Sequence, residues 1–120
     1  MSQAIDRMLT VSALRDARKL LSQPGAWTQG FYARDARGAS IRASEPSACS
    51  WCIQGALFTV LGVVGSIPTS DVRRVQTPLL RHAGVTDTAE LWCWNDQPGR
   101  TQDEVLALFD KAIAAEESQQ

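Results

Sequence analysis

Residues 51–64 form the longest apolar run in the chain, broken only by Gln54 and a few small polar or glycine positions. The run is shorter than the ~20 residues that a membrane-crossing helix needs. Across residues 49–64, Cys52, Ile53, Ala56, Leu57, Val60, Leu61 and Val64 recur at i, i+1, i+4 and i+5, the spacing of a wide buried helical face. Phe58 and Val63 lie off that face, so the segment is apolar nearly all round. A helix of that kind is buried on every side. The pattern therefore predicts a mainly α fold, a compact bundle of four or five helices around a central helix 49–64.

The flanking segments supply the rest of the bundle. Thr10 or Ser12 can cap a first helix with Leu14, Ala17, Leu20 and Leu21 on one stripe, and Pro24-Gly25 stops it. Residues 27–42 carry aromatics without a helical stripe. Asp35-Ala36-Arg37-Gly38 has the residue order of a tight turn, which predicts one short β-hairpin near 27–42. Gly62 and Gly65 weaken the end of the central helix, and Pro68 closes it. Ser70 or Asp71 starts a further helix. A proline inside a helix costs about 3 kcal/mol, so Thr77-Pro78 reads as a restart running to Gly84. Asp87-Thr88-Ala89-Glu90 resembles a capping box, and Thr101-Gln102-Asp103-Glu104 is a cleaner one. Behind the second, Val105, Leu108, Phe109, Ala112 and Ile113 make the stripe of the last helix. Between the two lies a loop over residues 94–99.

The chain has 120 residues, 44% of them hydrophobic, which suits one domain over 1–120 with an ordered core at about 10–115. Residues 116–120 read as a polar tail. Lysine plus arginine is 12 and aspartate plus glutamate 13, for a formal charge of −1. That balance argues against a dedicated nucleic-acid binder, which carries a basic excess. Residues 1–11 include Asp6 and Arg7 and lack the apolar core of a signal peptide. With three cysteines, an odd number, this predicts free thiols in a reducing cytoplasm, away from membranes.

Three short stretches, in order, carry a resemblance. They are Gly-Ala-Trp-Thr-Gln-Gly at 25–30, Cys-Ile-Gln-Gly-Ala-Leu at 52–57, and Trp-Asn-Asp at 94–96 followed by Arg100-Thr101 and Glu104-Val105. From about Leu14 to Ala114 the chain resembles an uncharacterised family of small bacterial and phage proteins. The resemblance implies a helical domain and no particular activity. Cys49 and Cys93 fall outside its pattern.

Four constellations could carry function. Cys49 and Cys52 make a Cys-x-x-Cys that His82 and Cys93 could complete as a zinc tetrahedron, although the second pair lacks the usual close spacing. Cys52 near a helix start would feel the macrodipole, which lowers a thiol pKa. With His82 as base and Asp96 to orient it, Cys52 could serve as a nucleophile. In the third constellation Trp94 can stack, Asn95 and Asp96 can donate and accept, and Arg100 can clamp an anion at a helix start. The same residues also suit a structural turn. The fourth is the hairpin, where Trp27, Phe31, Tyr32, Arg34, Arg37 and Arg42 interleave aromatics with arginines, a composition enriched at protein interfaces.

The leading expectation is a non-enzymatic accessory protein with no cofactor. It would bind a protein partner, a second copy included, or a small ligand through Trp27, Tyr32, Arg34, Trp94, Asn95, Asp96 and Arg100. A cysteine enzyme using Cys52, His82 and Asp96, and a zinc-stabilised domain, are the alternatives.

Overall fold

The computed structural model describes residues 3–64 and 68–119. Among them are five helices and three two-residue strands: α1 (Gln3–Leu21), β1 (Ala33–Arg34), β2 (Ser40–Ile41), β3 (Ser50–Trp51), α2 (Ile53–Val60), α3 (Ser70–Ala83), α4 (Thr88–Asn95) and α5 (Gln102–Glu117). The fold is mainly α with a short hairpin, as the apolar patterning predicts.

The first helix starts well before Thr10. No glycine or proline interrupts residues 3–11, Asp6 sits in the first turn where a helix favours an acid, and Thr10 is buried mid-helix. Leu14, Ala17 and Leu21 enter the core, while Leu20 is only partly buried. The far end of the chain also departs from expectation. α5 runs to Glu117, which pairs with Arg15 of α1, so Glu116 and Glu117 belong to a helix rather than a tail.

The hairpin is narrower than 27–42. β1 and β2 pair antiparallel through Ala33–Ile41 and Arg34–Ser40. Asp35 builds the turn, its Oδ1 accepting from the Arg37 and Ala39 N–H groups at 2.9 and 3.0 Å. Gly38 takes the positive φ of 84° that the turn requires. Trp27 lies outside the hairpin and makes a parallel bridge to Trp51.

The central helix is the main correction. Helix 49–64 is reduced to Ile53–Val60, and Ser50–Trp51 forms a third strand on the free edge of β1, giving the order β2-β1-β3. The edge carbonyls of Arg34 and Tyr32 accept from the Cys49 and Cys52 N–H groups at 2.8 and 3.2 Å, holding the chain extended until Cys52. At the other end Gly62, with φ 70°, closes a Schellman turn. There the Val63 N–H donates to Phe58 O and the Gly62 N–H to Thr59 O. Gly65, read as part of the same ending, lies outside the described residues. All-round burial does hold, with residues 53–58 all buried.

The expected restart at Thr77-Pro78 does not occur. α3 continues through Pro78 to the αL glycine Gly84. Proline removes one bond, to the carbonyl of Arg74, and Arg74 is exposed, where water can meet that carbonyl. Continuing keeps Val72, Val75, Gln76, Pro78 and Leu79 buried along the helix. Asp87 caps α4 by accepting from Glu90 N–H, but the Glu90 carboxylate takes the Thr86 hydroxyl instead of closing a box. Thr101 and Glu104 form the full box on α5. The N–H of Thr101 holds the Glu104 carboxyl below its ordinary pKa.

α1 packs chiefly on α5 and α2, and α3 on α5. One close approach explains a glycine. A Cβ on Gly55 would stand 1.9 Å from the carbonyl oxygen of Tyr32, so only glycine lets α2 lie against the chain entering β1.

Candidate functional site

Trp94 and Asn95 are the last residues of α4, not a loop, and Asp96 is its C-cap. Asn95 is 1% exposed. Its Oδ1 accepts from the Trp27 indole N–H at 2.8 Å and from the Ile53 N–H at 3.1 Å. Its Nδ2 donates to Thr28 O at 3.2 Å and to Asp96 Oδ1 at 2.9 Å. Asp96 Oδ1 also accepts from the Gly30 N–H at 3.0 Å, and the Gln29 amide donates to the carbonyls of Asn95 and Gln97. The Gly-Ala-Trp-Thr-Gln-Gly stretch and the Trp-Asn-Asp stretch thus meet at one polar junction, against the start of the Cys-Ile-Gln-Gly-Ala-Leu helix.

That junction completes the N-terminus of α2. A helix start leaves four N–H groups without partners inside it. Here Tyr32 O meets Cys52, Asn95 meets Ile53, and the Cys52 sulfur meets Gln54 and Gly55. Asn95 has no free donor or acceptor turned to solvent, and its geometry is that of a peg joining three segments.

The two arginines are engaged in the same way. The Arg100 guanidinium lies 3.7 Å over the Trp94 ring, donates to Trp94 O at 2.9 Å, and reaches Glu104. Arg34 donates to the Thr28 hydroxyl and to the carbonyls of Gln29 and Gly38, with Phe31 beneath it.

The zinc set of Cys49, Cys52, His82 and Cys93 does not assemble. Among the described residues no three His, Cys, Asp or Glu side chains gather as metal ligands would. Cys49, Cys52, His82 and Cys93 therefore form no metal site, while the Asp96 carboxylate stands near enough to the Cys52 thiol to act on it. Cys49 and Cys93 are exposed, and His82 is exposed in the last turn of α3. Cys52 is the N-cap of α2, as its position suggests, yet its thiol pKa moves opposite to the macrodipole argument. Burial pushes it up to about 11, against N–H groups of Gly55, Gln54 and the Trp92 indole that lower it. Desolvation of the thiolate outweighs three donors. The same burial, with Cys52 beside it, raises the Tyr32 phenol.

Two surfaces remain open. One is an aromatic face where Phe31 is 45% and Trp92 41% exposed, with Tyr32 against Trp92 at 5.3 Å between ring centroids. The other is a cleft of about 560 Å³ between α1, β3 and the end of α2. Asp16, Lys19 and Leu20 line it from one face of α1, with Gln23 just past the end of that helix. Ala26, Cys49, Trp51, Thr59 and Val60 complete it. Reading 49–64 as one helix concealed this cleft, because a helical Trp51 would project elsewhere. The only sequence signal was that Leu20 and Leu21 widen the α1 stripe, so one of the pair must look away from the core.

The fold and these surfaces define a small mainly α domain whose polar residues hold a junction and whose open cleft is apolar. Over residues 7–115 the chain matches DUF6197, a family of unknown function, and it belongs to that family. No curated protein and no solved structure matches it. Among the described residues no helix is long and apolar enough to cross a membrane.

Proposed function

We propose that this domain is a non-enzymatic binding protein that holds a small, mostly apolar molecule in the cleft beside Trp51. The carrying observation is the cleft itself. Its volume of about 560 Å³ falls within the ~300–1,000 Å³ usual for small-molecule sites. Leu20, Ala26, Trp51 and Val60 give it apolar walls, and Asp16, Lys19 and Gln23 give it a polar rim. Trp94, Asn95, Asp96, Arg34 and Arg100, already bonded within the fold, act here as its supports.

Cys49 offers a direct test, since it is exposed and lines the cleft whereas Cys52 is buried. In a Cys93→Ser background, a bulky maleimide should react at Cys49 alone. The label should then abolish saturable binding of an environment-sensitive naphthalene dye while leaving the melting temperature in place. Dye binding that survives the label would count against the cleft.

A second reading is favoured by the aromatic face. Phe31 and Trp92 present half-exposed rings, residue types enriched in protein interfaces. A protein partner, a second copy included, would use them. Sedimentation of the wild type and a Phe31→Ser/Trp92→Ser variant decides the self-association case. Identical monomeric behaviour for both removes it.

A further inference from the structure

Trp51 carries a feature that packing alone does not explain. Its indole N–H is buried and has no hydrogen-bond partner. An indole nitrogen can only donate, and a buried one normally finds an acceptor. A phenylalanine would fill most of the same space with no polar group to satisfy.

The backbone around this ring is held firmly. The Trp51 N–H donates to Ala26 O at 2.8 Å, and Trp51 O accepts from the Thr28 N–H at 3.0 Å. β1 pairs along its other side, with Ala33 opposite Trp51. The side chain borders open space on two sides. Trp51 and Thr59 are shared by the main cleft and by a second cavity of about 430 Å³, which Ala43, Pro46, Ala48 and Phe58 also line. The Thr59 hydroxyl is already placed against the carbonyls of Ala43 and Gly55. The indole thus stands between two spaces on a fixed backbone.

We infer that the cleft takes a neutral, largely apolar molecule carrying a carbonyl-type oxygen, and that the Trp51 indole turns to donate to that oxygen. This rests on the cleft being the binding site. Neutrality follows from the rim, where Asp16 and Lys19 stand one turn apart on α1 and offset each other. The acceptor follows from the unmet donor. The turn follows because the N–H is itself buried.

Two probes of nearly equal shape test this: 2-acetylnaphthalene, which has the oxygen, and 2-ethylnaphthalene, which lacks it. Titrations use the full-length chain labelled with ¹⁵N, with the Trp51 indole signal assigned by its loss in Trp51→Phe. The acetyl probe should bind about tenfold tighter, roughly 1.4 kcal/mol, and should shift the Trp51 indole N–H downfield. The ethyl probe should bind without that shift, and Trp51→Phe should bind both probes equally. If both probes bind alike and the indole signal stays put, the acceptor inference is wrong and the cleft reading survives. If neither probe perturbs residues lining the cleft, both fall. Should Trp51→Phe fail to fold, the wild-type comparison of the two probes still decides the matter, with the indole signal assigned through the backbone.

Discussion

Replacing Asn95 with aspartate changes one atom's chemistry and little of its shape, so its cost isolates the polar junction. Oδ1 can keep its bonds from Trp27 and Ile53. The other atom, now an oxygen, faces Thr28 O at 3.2 Å and the Asp96 carboxylate at 2.9 Å. Two carboxylates 3–4 Å apart repel by about 4–6 kcal/mol at an effective dielectric near 20. The variant escapes by keeping a proton on the pair, which raises a folded-state carboxyl pKa above its unfolded value of about 4. The stability loss is therefore smallest below pH 4 and grows as pH rises toward the raised pKa, by about 1.4 kcal/mol per unit. Holding the proton up to pH 7 costs about 4 kcal/mol. Asn95→Ala should lose about 3–5 kcal/mol at every pH, by stranding the Trp27 and Ile53 donors. Asp96→Asn keeps an oxygen for both of its donors and should lose under about 1 kcal/mol. Urea denaturation followed by tryptophan fluorescence at pH 5 and pH 7.5 measures all three. An Asn95→Asp variant within 1 kcal/mol of wild type at pH 7.5, or a penalty that does not change with pH, would refute the junction as described.

Gly55→Ala should be the most damaging small-to-small change, because its methyl meets the Tyr32 carbonyl at 1.9 Å. A loss of about 3 kcal/mol or more is expected, and an alanine variant that melts with the wild type would contradict the close approach. The Cys52 thiol predicts an alkaline limit. Its folded pKa of about 11 lies above the ordinary thiol value of 9.0, so the folded chain binds more protons between them. Stability is full below pH 9 and falls as pH rises through 11, by roughly 3 kcal/mol. Cys52→Ser, which keeps a capping oxygen, should flatten that part of the curve, and an unchanged alkaline slope would remove Cys52 as its source.

Features whose cause is local were readable without the fold. The Thr101–Glu104 box, the Asp35–Gly38 turn, the Gly84 stop and the α5 stripe each depend on residues within a turn or two of one another. The all-round burial of α2 was readable because no polar face interrupts it. Membership of a family without known activity was likewise expected, and the match over residues 7–115 shows it, while the fold brings together the three stretches on which the resemblance was read. The glycine of the second admits β1, while the Trp27 and Asn95 of the other two bond to each other.

Long-range partners decided the rest. Ser50 and Trp51 have helix-compatible spacing and become a strand because the edge carbonyls of β1 are waiting for their neighbours' N–H groups. α3 passes through Pro78 because one lost bond weighs less than continued burial of its apolar face. Asn95, typical of a surface turn, is a buried peg because Trp27 and α2 close over it. Cys52 sits at the helix start that its spacing implies, but desolvation reverses the pKa shift that position alone suggests. Sequence alone determined which residues turn, cap and form stripes, since those are contests between near neighbours. The cleft, the partition at Trp51 and the junction at Asn95 belong to the tertiary structure, because burial and hydrogen-bond satisfaction depend on groups dozens of residues away.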